Sequence, residues 1–382
     1  MGSFTAAVVS KPGGVFELDT FRLPSLSDGQ VLVRLEATGL CHADLGARSG
    51  DFPVPHPIVL GHEGCGIVEE VGRGVTTLRP GHRVVLTFDT CDGCEACRAG
   101  VGTQCADLLT RNWTGDDSTP TAISESTGSE VRLGFFGQSS FATYAIAHER
   151  NTIPVETGLA AEVLAPLGCG VQTGVGAVKN VLRPSPGDVV AVFGAGAVGM
   201  SAALALLSGG VEFVVVDPDP ARRALAENLG CALTVDPGAG DPAAIIRDSY
   251  AGGLSGALEC SGNPTAFTAA VNCTRTGATT AVVGAPAFGT LGQLDIADLV
   301  NSSKRIVGSV EGDSTPGELI PWMVAEIEGG RLPVHLLVRT YPFADVEEAA
   351  CDMAAGSVIK PVLIFDPADD SETSAEVPNG RS

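Results

Sequence analysis

Hydrophobic and polar positions follow two different patterns along this chain. In residues 1–150, apolar and polar side chains alternate in short segments such as 31–35 and 66–71, which are separated by Gly, Pro and Asp. Alternation with a period of two is typical of strands with one buried face. The first part of the chain is therefore predicted to consist mostly of strands and loops.

Between about residues 157 and 309 the pattern changes. Short Val-rich runs alternate with Ala/Leu-rich stretches of helical periodicity. They predict strands at 189–193, 213–217, 256–259, 279–283 and 305–308, with helices at 197–207 and 221–229. Strands that alternate with helices indicate a parallel sheet covered on both faces. We therefore predict an α/β, doubly wound sheet of the Rossmann type, followed by a helix at 318–328 and a strand at 360–365.

These two patterns predict two domains. Residues 157–309 would form a nucleotide-binding domain inserted into a discontinuous second domain made of 1–156 and 310–382. The last segment, 366–382, is acidic and polar and lacks aromatic residues, which is typical of a disordered tail. The uncharged stretch 189–211 is long enough to cross a membrane, but its glycines favour a buried strand, turn and helix.

Composition and charge exclude several classes of partner. The formal net charge of −22 makes nucleic acid and anionic membranes unsuitable partners, because both attract basic surfaces. The first residues lack a positively charged region followed by an apolar one, so no secretory signal is expected. We therefore predict a cytoplasmic protein with a small-molecule substrate, in which cysteines serve more often as ligands than in disulfides.

Four cysteines are spaced closely enough to bind one metal ion. Cys91, Cys94, Cys97 and Cys105 form the pattern C-x2-C-x2-C-x7-C. Four thiolates that converge in this way are typical of a closed, tetrahedral structural zinc site. We predict a zinc lobe over about residues 88–110.

A glycine-rich motif predicts dinucleotide binding. Gly194, Gly196 and Gly199 form G-x-G-x-x-G between a predicted strand and a predicted helix. In this position glycines permit the tight turn and the close approach of a pyrophosphate. Asp217, at the end of the next strand, favours NAD over NADP because a carboxylate there repels a 2′-phosphate. Arg222 weakens the prediction of strict NAD preference, and an α/β domain without nucleotide remains the alternative.

Three further metal-ligand candidates are far apart in sequence. Cys41, His62 and Cys169 each lie beside glycine or in a glycine-containing segment. Taken singly, each is more simply a buried cysteine or histidine. Together, two thiolates and one imidazole form a ligand set that leaves a fourth zinc position open for chemistry.

The chain resembles the zinc-dependent medium-chain alcohol dehydrogenases. Residues 61–75, GHEGCGIVEEVGRGV, match the zinc signature of that family, and the four-cysteine lobe and nucleotide motif follow in family order. Residues 135–145, 165–174, 311–314 and 360–363 most resemble the aryl and benzyl alcohol dehydrogenases. The resemblance implies a mostly β, GroES-like catalytic domain beside the Rossmann domain. It also implies NAD-dependent oxidation of a primary, aromatic or allylic alcohol.

The resemblance also implies roles for individual residues. Cys41, His62 and Cys169 would bind a catalytic zinc, so that each chain holds two zinc ions. Asp44 would hold His62, and Glu63 would lie near the metal. The implied cofactor contacts are His42 and Lys360 to the pyrophosphate, and Thr173 and Val198 to the nicotinamide. The family usually forms homodimers or homotetramers, often through the edge of the nucleotide-binding sheet.

The chain departs from this family at the expected proton path. Ala43 stands where the family usually has Ser or Thr, and Gly46 stands where some relatives have a relay histidine. Three hypotheses follow: an alcohol dehydrogenase with a water-mediated path, a reductase of a conjugated C=C or iminium bond, or a protein without catalytic activity. An apolar substrate pocket could include Trp113, Phe135 and Phe136, although such aromatic residues equally serve packing.

Overall fold

The computed structural model describes residues 2–366, in which strands make up three sheets. The predicted tail at 366–382 lies outside this range except for its first residue. The strands, β1 to β18 in chain order, are Ser3–Val9, Glu17–Arg22, Gln30–Gly39, Ile58–Val59, Gly64–Val71, Arg83–Leu86, Thr121–Ile123, Glu130–Arg132, Tyr144–His148, Thr152–Pro154, Val189–Phe193, Glu212–Val216, Leu233–Val235, Leu254–Glu259, Thr274–Val282, Arg305–Gly308, Val338–Pro342 and Lys360–Ile364.

The helices are shorter in the first part of the chain than in the second. The α-helices, α1 to α11, are His42–Ser49, Glu95–Arg98, Ala161–Leu164, Gly170–Gly176, Ala197–Ser208, Pro220–Asn228, Pro242–Ser249, Pro264–Asn272, Ile296–Asn301, Pro316–Glu328 and Val346–Ala354.

A six-stranded parallel sheet confirms the predicted Rossmann fold. Its strand order is β13-β12-β11-β14-β15-β16, and every pairing in it is parallel. From β11 the chain adds β12 and β13 on one side and then β14, β15 and β16 on the other, so the strand order switches between β11 and β14. In such sheets dinucleotides bind in the crevice at this switch point. The buried strand β11 and the helix α5 account for the uncharged stretch at 189–211. Within residues 2–366 we find no helix with the length and apolar character needed to span a membrane.

Two mixed sheets contain the remaining strands. A five-stranded sheet has the order β2-β1-β4-β8-β7, and a seven-stranded sheet has the order β10-β6-β5-β3-β18-β17, with β9 also paired to β3. The strand β18 joins this sheet by antiparallel pairing with β3, where Val362 lies opposite Gly39. This pairing brings residues near position 360 beside residues near position 40, which positions the candidate site.

Predicted and observed elements agree most closely in the parallel sheet. The predicted strands 189–193 and 305–308 coincide with β11 and β16, and the other predicted strands and helices differ from the observed ones by a few residues at their ends. Proline at the start of α6 and of α10 explains part of this shift, because proline fits the first helical turn, where its missing N–H is not needed.

Candidate functional site

The structure brings the three distant ligand candidates together. The ligand atoms of Cys41, His62, Glu63 and Cys169 all lie within 4.8 Å of one another. Cys41 immediately precedes α1, His62 precedes β5, and Cys169 precedes α4. Four donor groups therefore meet in one small volume, because the first residues of α1, β5 and α4 lie close together.

The donor set fits a zinc ion. Nε2 of His62 is buried and has no hydrogen-bond partner among the described residues, although a buried ring nitrogen normally has one. A hydrogen bond from Cys169 lowers the pKa of the Cys41 thiol well below its ordinary value, and the charge of Lys360 adds to this effect. Thiolate and imidazole donors at this separation are the ligands that zinc prefers.

Asp44 fixes the orientation of the His62 ring. Oδ1 of Asp44 lies 3.0 Å from Nδ1 of His62 and accepts a hydrogen bond from the Gly61 amide, while Oδ2 accepts one from the Cys41 amide. The carboxylate accepts a hydrogen bond from Nδ1–H, so the lone pair of the imidazole is on Nε2. Burial lowers the pKa of His62, but the charge of Asp44, its hydrogen bond and the neighbouring Cys41 together outweigh burial and raise that pKa, which makes the ring a stronger donor to a metal.

Glu63 forms a buried ion pair with Lys360 across 297 residues of sequence. Nζ of Lys360 lies 2.8 and 2.9 Å from the two carboxylate oxygens and 3.1 Å from the Leu40 carbonyl oxygen. Burial raises the pKa of Glu63 to about 7, even though the Lys360 charge opposes this. The ammonium group of Lys360 thus donates to three protein oxygens. The predicted contact between Lys360 and the pyrophosphate of the cofactor stays a prediction.

Gly39 makes room for this ion pair. A Cβ atom at position 39 would lie 1.9 Å from Oε2 of Glu63, so any larger residue would displace the carboxylate.

The four-cysteine segment folds into a second compact ligand set. The sulfur atoms of Cys91, Cys94, Cys97 and Cys105 lie within 4.8 Å of one another. Backbone amides of Cys91, Cys94 and Cys97 donate to sulfur atoms of the same set at 3.2–3.5 Å. All four cysteines are free thiols. Amide donors directed at sulfur stabilise thiolates, which fits a structural zinc ion.

The nucleotide motif occupies the turn between β11 and α5. Gly194 has a φ of +94°, and a Cβ at Gly199 would lie 1.8 Å from the Gly194 carbonyl oxygen. Gly196 has open space where its Cβ would be, so a ligand can approach the backbone closely. Asp217 accepts hydrogen bonds from the Ala195 amide (2.6 Å) and the Asp219 amide (2.8 Å), which attaches the acidic residue to the glycine turn.

The helix α4 connects the ligand set that contains Cys169 with the glycine turn of the nucleotide motif. A Cβ at Gly174 would lie 2.2 Å from the Val198 carbonyl oxygen, so α4 and α5 pack closely at this point. Thr173 is buried beside this contact and only four residues after Cys169. Of the other predicted cofactor contacts, His42 is the first residue of α1, next to Cys41. Nη2 of Arg222 donates to the Gly356 carbonyl at 3.4 Å.

Aromatic side chains extend from the ligand set toward the surface. Phe136 stacks on His62 with ring centroids 4.4 Å apart, and Trp113 follows at 5.3 Å from Phe136. Phe52 then lies 4.5 Å from Trp113 and 6.4 Å from Phe288, whose side chain is 74% exposed. These rings form a continuous series of apolar contacts, here called the aromatic path, from the exposed Phe288 to the proposed metal ligand His62.

Two residues of this path, and one buried carboxylate, were not predicted. Phe52 and Phe288 lie in loops without a recognisable motif, so the sequence contains no signal for them. Oε1 of Glu311 lies 3.4 Å from Sγ of Cys169. Glu311 belongs to the segment 311–314 that carries part of the family resemblance, which was the available signal.

The structure gives a steric reason for the missing relay residue at position 46. A Cβ on Gly46 would lie 2.2 Å from the ring of Phe52. A histidine therefore does not fit there unless Phe52 moves. Ala43 is partly buried in the same helix and offers no hydroxyl group.

Family models match both parts of the chain. Residues 27–157 match the alcohol dehydrogenase GroES-like domain, and residues 197–327 match the zinc-binding dehydrogenase domain. The chain belongs to the zinc-dependent medium-chain alcohol dehydrogenase family. It is an oxidoreductase of that family, and its chemistry is zinc-dependent interconversion of alcohols and aldehydes.

Individual members of this family are similar over almost the whole chain. A geraniol dehydrogenase from Castellaniella defragrans is 41% identical over 95% of this chain and 98% of its own length. The crystal structure of a benzyl alcohol dehydrogenase from Acinetobacter calcoaceticus superposes with a TM-score of 0.91 at 39% identity, covering 96% of this chain and 100% of the other. A zinc-binding-domain alcohol dehydrogenase from Burkholderia ambifaria gives a TM-score of 0.92 at 41% identity, covering 95% of this chain and 99% of its own.

Proposed function

We propose that this enzyme transfers a hydride between NAD(H) and a primary, aromatic or allylic alcohol or its aldehyde. The observation that carries the proposal is the buried, unpartnered Nε2 of His62 among two cysteines and Glu63, at the inner end of the aromatic path. The relatives named for geraniol and benzyl alcohol support the same class of substrate, because both alcohols are primary and unsaturated next to the carbinol carbon.

Each part of the chain has a proposed role. Residues 1–156 and 310–382 would form the GroES-like catalytic domain, and 157–309 the NAD-binding domain. Two zinc ions per chain would be held, one by Cys41, His62 and Cys169 and one by the four cysteines at 91–105. A cytoplasmic location agrees with this use of free thiols.

The metal and the cofactor supply the reactive chemistry. A zinc ion held by Cys41, His62 and Cys169 would supply Lewis acidity toward the alcohol oxygen, and NAD bound at the glycine turn would supply the hydride acceptor. Asp44 holds His62 in the tautomer that can bind the metal. Lys360 and the Gly170 amide hold the Glu63 carboxylate in place, at 2.8–2.9 Å.

The protein also positions the cofactor and excludes water. The glycine turn at 194–199 would receive the pyrophosphate, and Asp217 would accept a ribose hydroxyl. Thr173 and Val198 would contact the nicotinamide ring. Phe136 covers the face of His62 and keeps water from it. Because Ala43 has no hydroxyl group, we expect water to carry the alcohol proton outward.

We also propose a homodimer or homotetramer formed through the edge of the parallel sheet. The strand β16 is the last in that sheet, and unpaired sheet edges favour pairing with another chain. Large apolar side chains are exposed in the segment leading to it, including Leu291 (85%), Ile296 (72%) and Val300 (69%). Several exposed large apolar side chains in one segment are typical of an interaction site.

The test is a substrate panel measured with zinc-loaded enzyme and NAD or NADH. We expect NADH formation with benzyl alcohol and geraniol, and much slower turnover of cyclohexylmethanol and ethanol as saturated controls. Lack of turnover across the unsaturated alcohols and aldehydes would contradict the proposal.

The same panel also tests for reduction of a conjugated C=C bond, because Ala43 lacks the hydroxyl group that usually carries the alcohol proton. With NADH and an α,β-unsaturated aldehyde, our proposal predicts the allylic alcohol as product. A saturated aldehyde as product would instead identify a reductase of conjugated C=C bonds.

A further inference from the structure

A buried carboxylate lies at the end of β14, on the same edge of the parallel sheet as the nucleotide motif. Glu259 is 1% exposed. Its Oε1 accepts hydrogen bonds from the Ser261 amide (2.7 Å), the Ser261 hydroxyl group and the Gly262 amide (3.0 Å), and its Oε2 lies 3.2 Å from the Gly262 amide nitrogen. Oγ of Ser261 also accepts a hydrogen bond from the Asn263 amide at 3.1 Å. One carboxylate therefore organises the turn 260–263, for which the proposed mechanism gives no role.

Packing alone does not fix this turn. It borders a cavity of about 190 Å³, which Phe267 and Pro286 line as well. Ser261 and Asn263 are exposed to solvent. Because side chains neither fill the cavity nor cover the turn, the conformation of the turn depends on its hydrogen bonds to Glu259. Hydrogen bonds to an ionised acceptor are stronger than those between neutral groups, so this carboxylate is a suitable anchor.

The turn packs between the loops that follow β11 and β15. A Cβ at Gly194 would lie 3.2 Å from both Cβ and N of Ser261, so Ser261 contacts the first glycine of the nucleotide motif. In the loop after β15, a Cβ at Gly284 would lie 2.2 Å from the Gly262 amide nitrogen. A displacement of the turn would therefore change the shape of the crevice beside the nucleotide motif.

The strand order indicates which part of the cofactor this turn would meet. Dinucleotides bind at the carboxyl ends of the strands, across the switch point between β11 and β14. Asp217, the proposed partner of the adenosine ribose, directly follows β12 on one side of β11. The nicotinamide half must then lie on the other side of β11, over the end of β14, where the turn 260–263 is located.

We propose that Glu259 is a positioning residue for the nicotinamide half of the cofactor. Its carboxylate holds the turn 260–263 against Gly194, so that the turn forms a fixed wall of the crevice, and Glu259 itself does not contact the cofactor. This inference rests on the proposed function, since it requires NAD(H) in the crevice.

Two ligands that differ by the nicotinamide half test this role. Dissociation constants for NAD and for 5′-AMP are measured by calorimetry on the zinc-loaded full-length chain. We expect Glu259→Ala to bind NAD about tenfold more weakly, because the turn must then be ordered by the cofactor, and to bind 5′-AMP with unchanged affinity. Glu259→Gln keeps one oxygen that can accept from the same donors, so it should restore part of the NAD affinity.

Ser261→Ala tests the same hydrogen bonds from the exposed side of the turn, including the case in which Glu259→Ala does not fold. It should bind NAD about threefold more weakly and 5′-AMP as before. The double variant should bind NAD no more weakly than Glu259→Ala, because both substitutions remove the same bond. The matched control is Asp188→Ala, which removes a carboxylate that accepts the Ser185 amide (2.8 Å) directly before β11, at the opposite edge of the sheet. Both of its affinities should be unchanged.

Several results would overturn the inference. They are unchanged NAD affinity in a folded Glu259→Ala variant or in Ser261→Ala, equal losses for NAD and 5′-AMP, and additive losses in the double variant. A loss of NAD affinity in Asp188→Ala as large as that in Glu259→Ala would also overturn it. Thermal unfolding shows which variants are folded. If the unsubstituted, zinc-loaded chain bound neither NAD nor 5′-AMP, the proposed function itself would fail, so the two failures are distinguishable.

Discussion

Asp44 and His62 form a buried pair in which Oδ1 of the carboxylate lies 3.0 Å from Nδ1 of the ring, with both side chains fully inaccessible to solvent. The same carboxylate accepts the amide hydrogens of Gly61 and Cys41. One acidic residue therefore orients the histidine and also fixes the backbone at Cys41 and at Gly61, the residue before His62.

Removal of this carboxylate should weaken zinc binding. We expect Asp44→Ala to lower zinc affinity at the Cys41 site by about 10–100-fold, because the histidine loses its orienting partner. Competition with a chromophoric chelator measures this affinity. The control is Asp51→Ala, which removes an exposed acidic residue just after α1. Zinc affinity that is unchanged in Asp44→Ala would contradict the assigned role.

The four-cysteine set should hold its zinc independently of the first site. We expect Cys94→Ser to reduce the metal content from about two zinc ions per chain to about one, and to lower the unfolding temperature, because a structural zinc ion contributes to folding stability. Mass spectrometry under native conditions and thermal unfolding measure the two effects. Cys351→Ser, at an exposed position outside both sets, should keep both ions. Retention of two zinc ions in Cys94→Ser would refute the ligand assignment.

The parts of this protein that could be predicted from sequence are those that local patterns determine. β11 and the glycine turn after it are specified by a β-branched run followed by G-x-G-x-x-G, so strand, turn and helix follow from adjacent residues. The cysteine lobe could be predicted equally well from the sequence, because all its ligands lie within one short segment.

Other features depend on contacts between distant segments. Glu63 meets Lys360 only because β18 pairs with β3, and no local pattern encodes that pairing. Glu311 reaches Cys169 only because its loop adopts left-handed backbone angles and packs on α4. Phe52 explains the glycine at position 46, but their proximity is a result of tertiary packing.

The preference for NAD should depend on the carboxylate of Asp217. We expect Asp217→Ala to lower kcat/KM with NAD and raise it with NADP, changing their ratio by at least about tenfold, because the repulsion of a 2′-phosphate is lost. Since Asp217 also accepts the Ala195 amide, part of the loss with NAD would come from a looser glycine turn. Asp217→Asn keeps the shape and one acceptor, so it separates these effects. An unaltered ratio in both variants would exclude Asp217 as the selectivity residue.

Trp113 should contribute to substrate selectivity. Its ring packs between Phe52 and Phe136, so Trp113→Ala would open the aromatic path. Loss of such contact area costs about 1.5–3 kcal/mol, which corresponds to a decrease of roughly 10–150-fold in kcat/KM for benzyl alcohol. Ethanol is too small to make this contact, so its kcat/KM should not change. Trp322→Ala is a matched control, since this tryptophan lies in α10 under Lys179. Equal losses for both alcohols would indicate a general structural effect.

The apolar surface beside β16 should determine the oligomeric state. Val300 is 69% exposed in α9, and burial of a charge in an apolar interface is unfavourable. Val300→Glu is therefore expected to convert a dimer to a monomer, or a tetramer to a dimer. Sedimentation velocity at several concentrations measures the mass. Leu18→Glu adds the same charge at an exposed apolar residue in β2, in a different sheet, and should leave the oligomer intact. If the Val300→Glu variant kept its mass while Leu18→Glu lost it, the interface would lie on the other sheet. A monomeric unsubstituted chain would remove the basis for any interface at this surface.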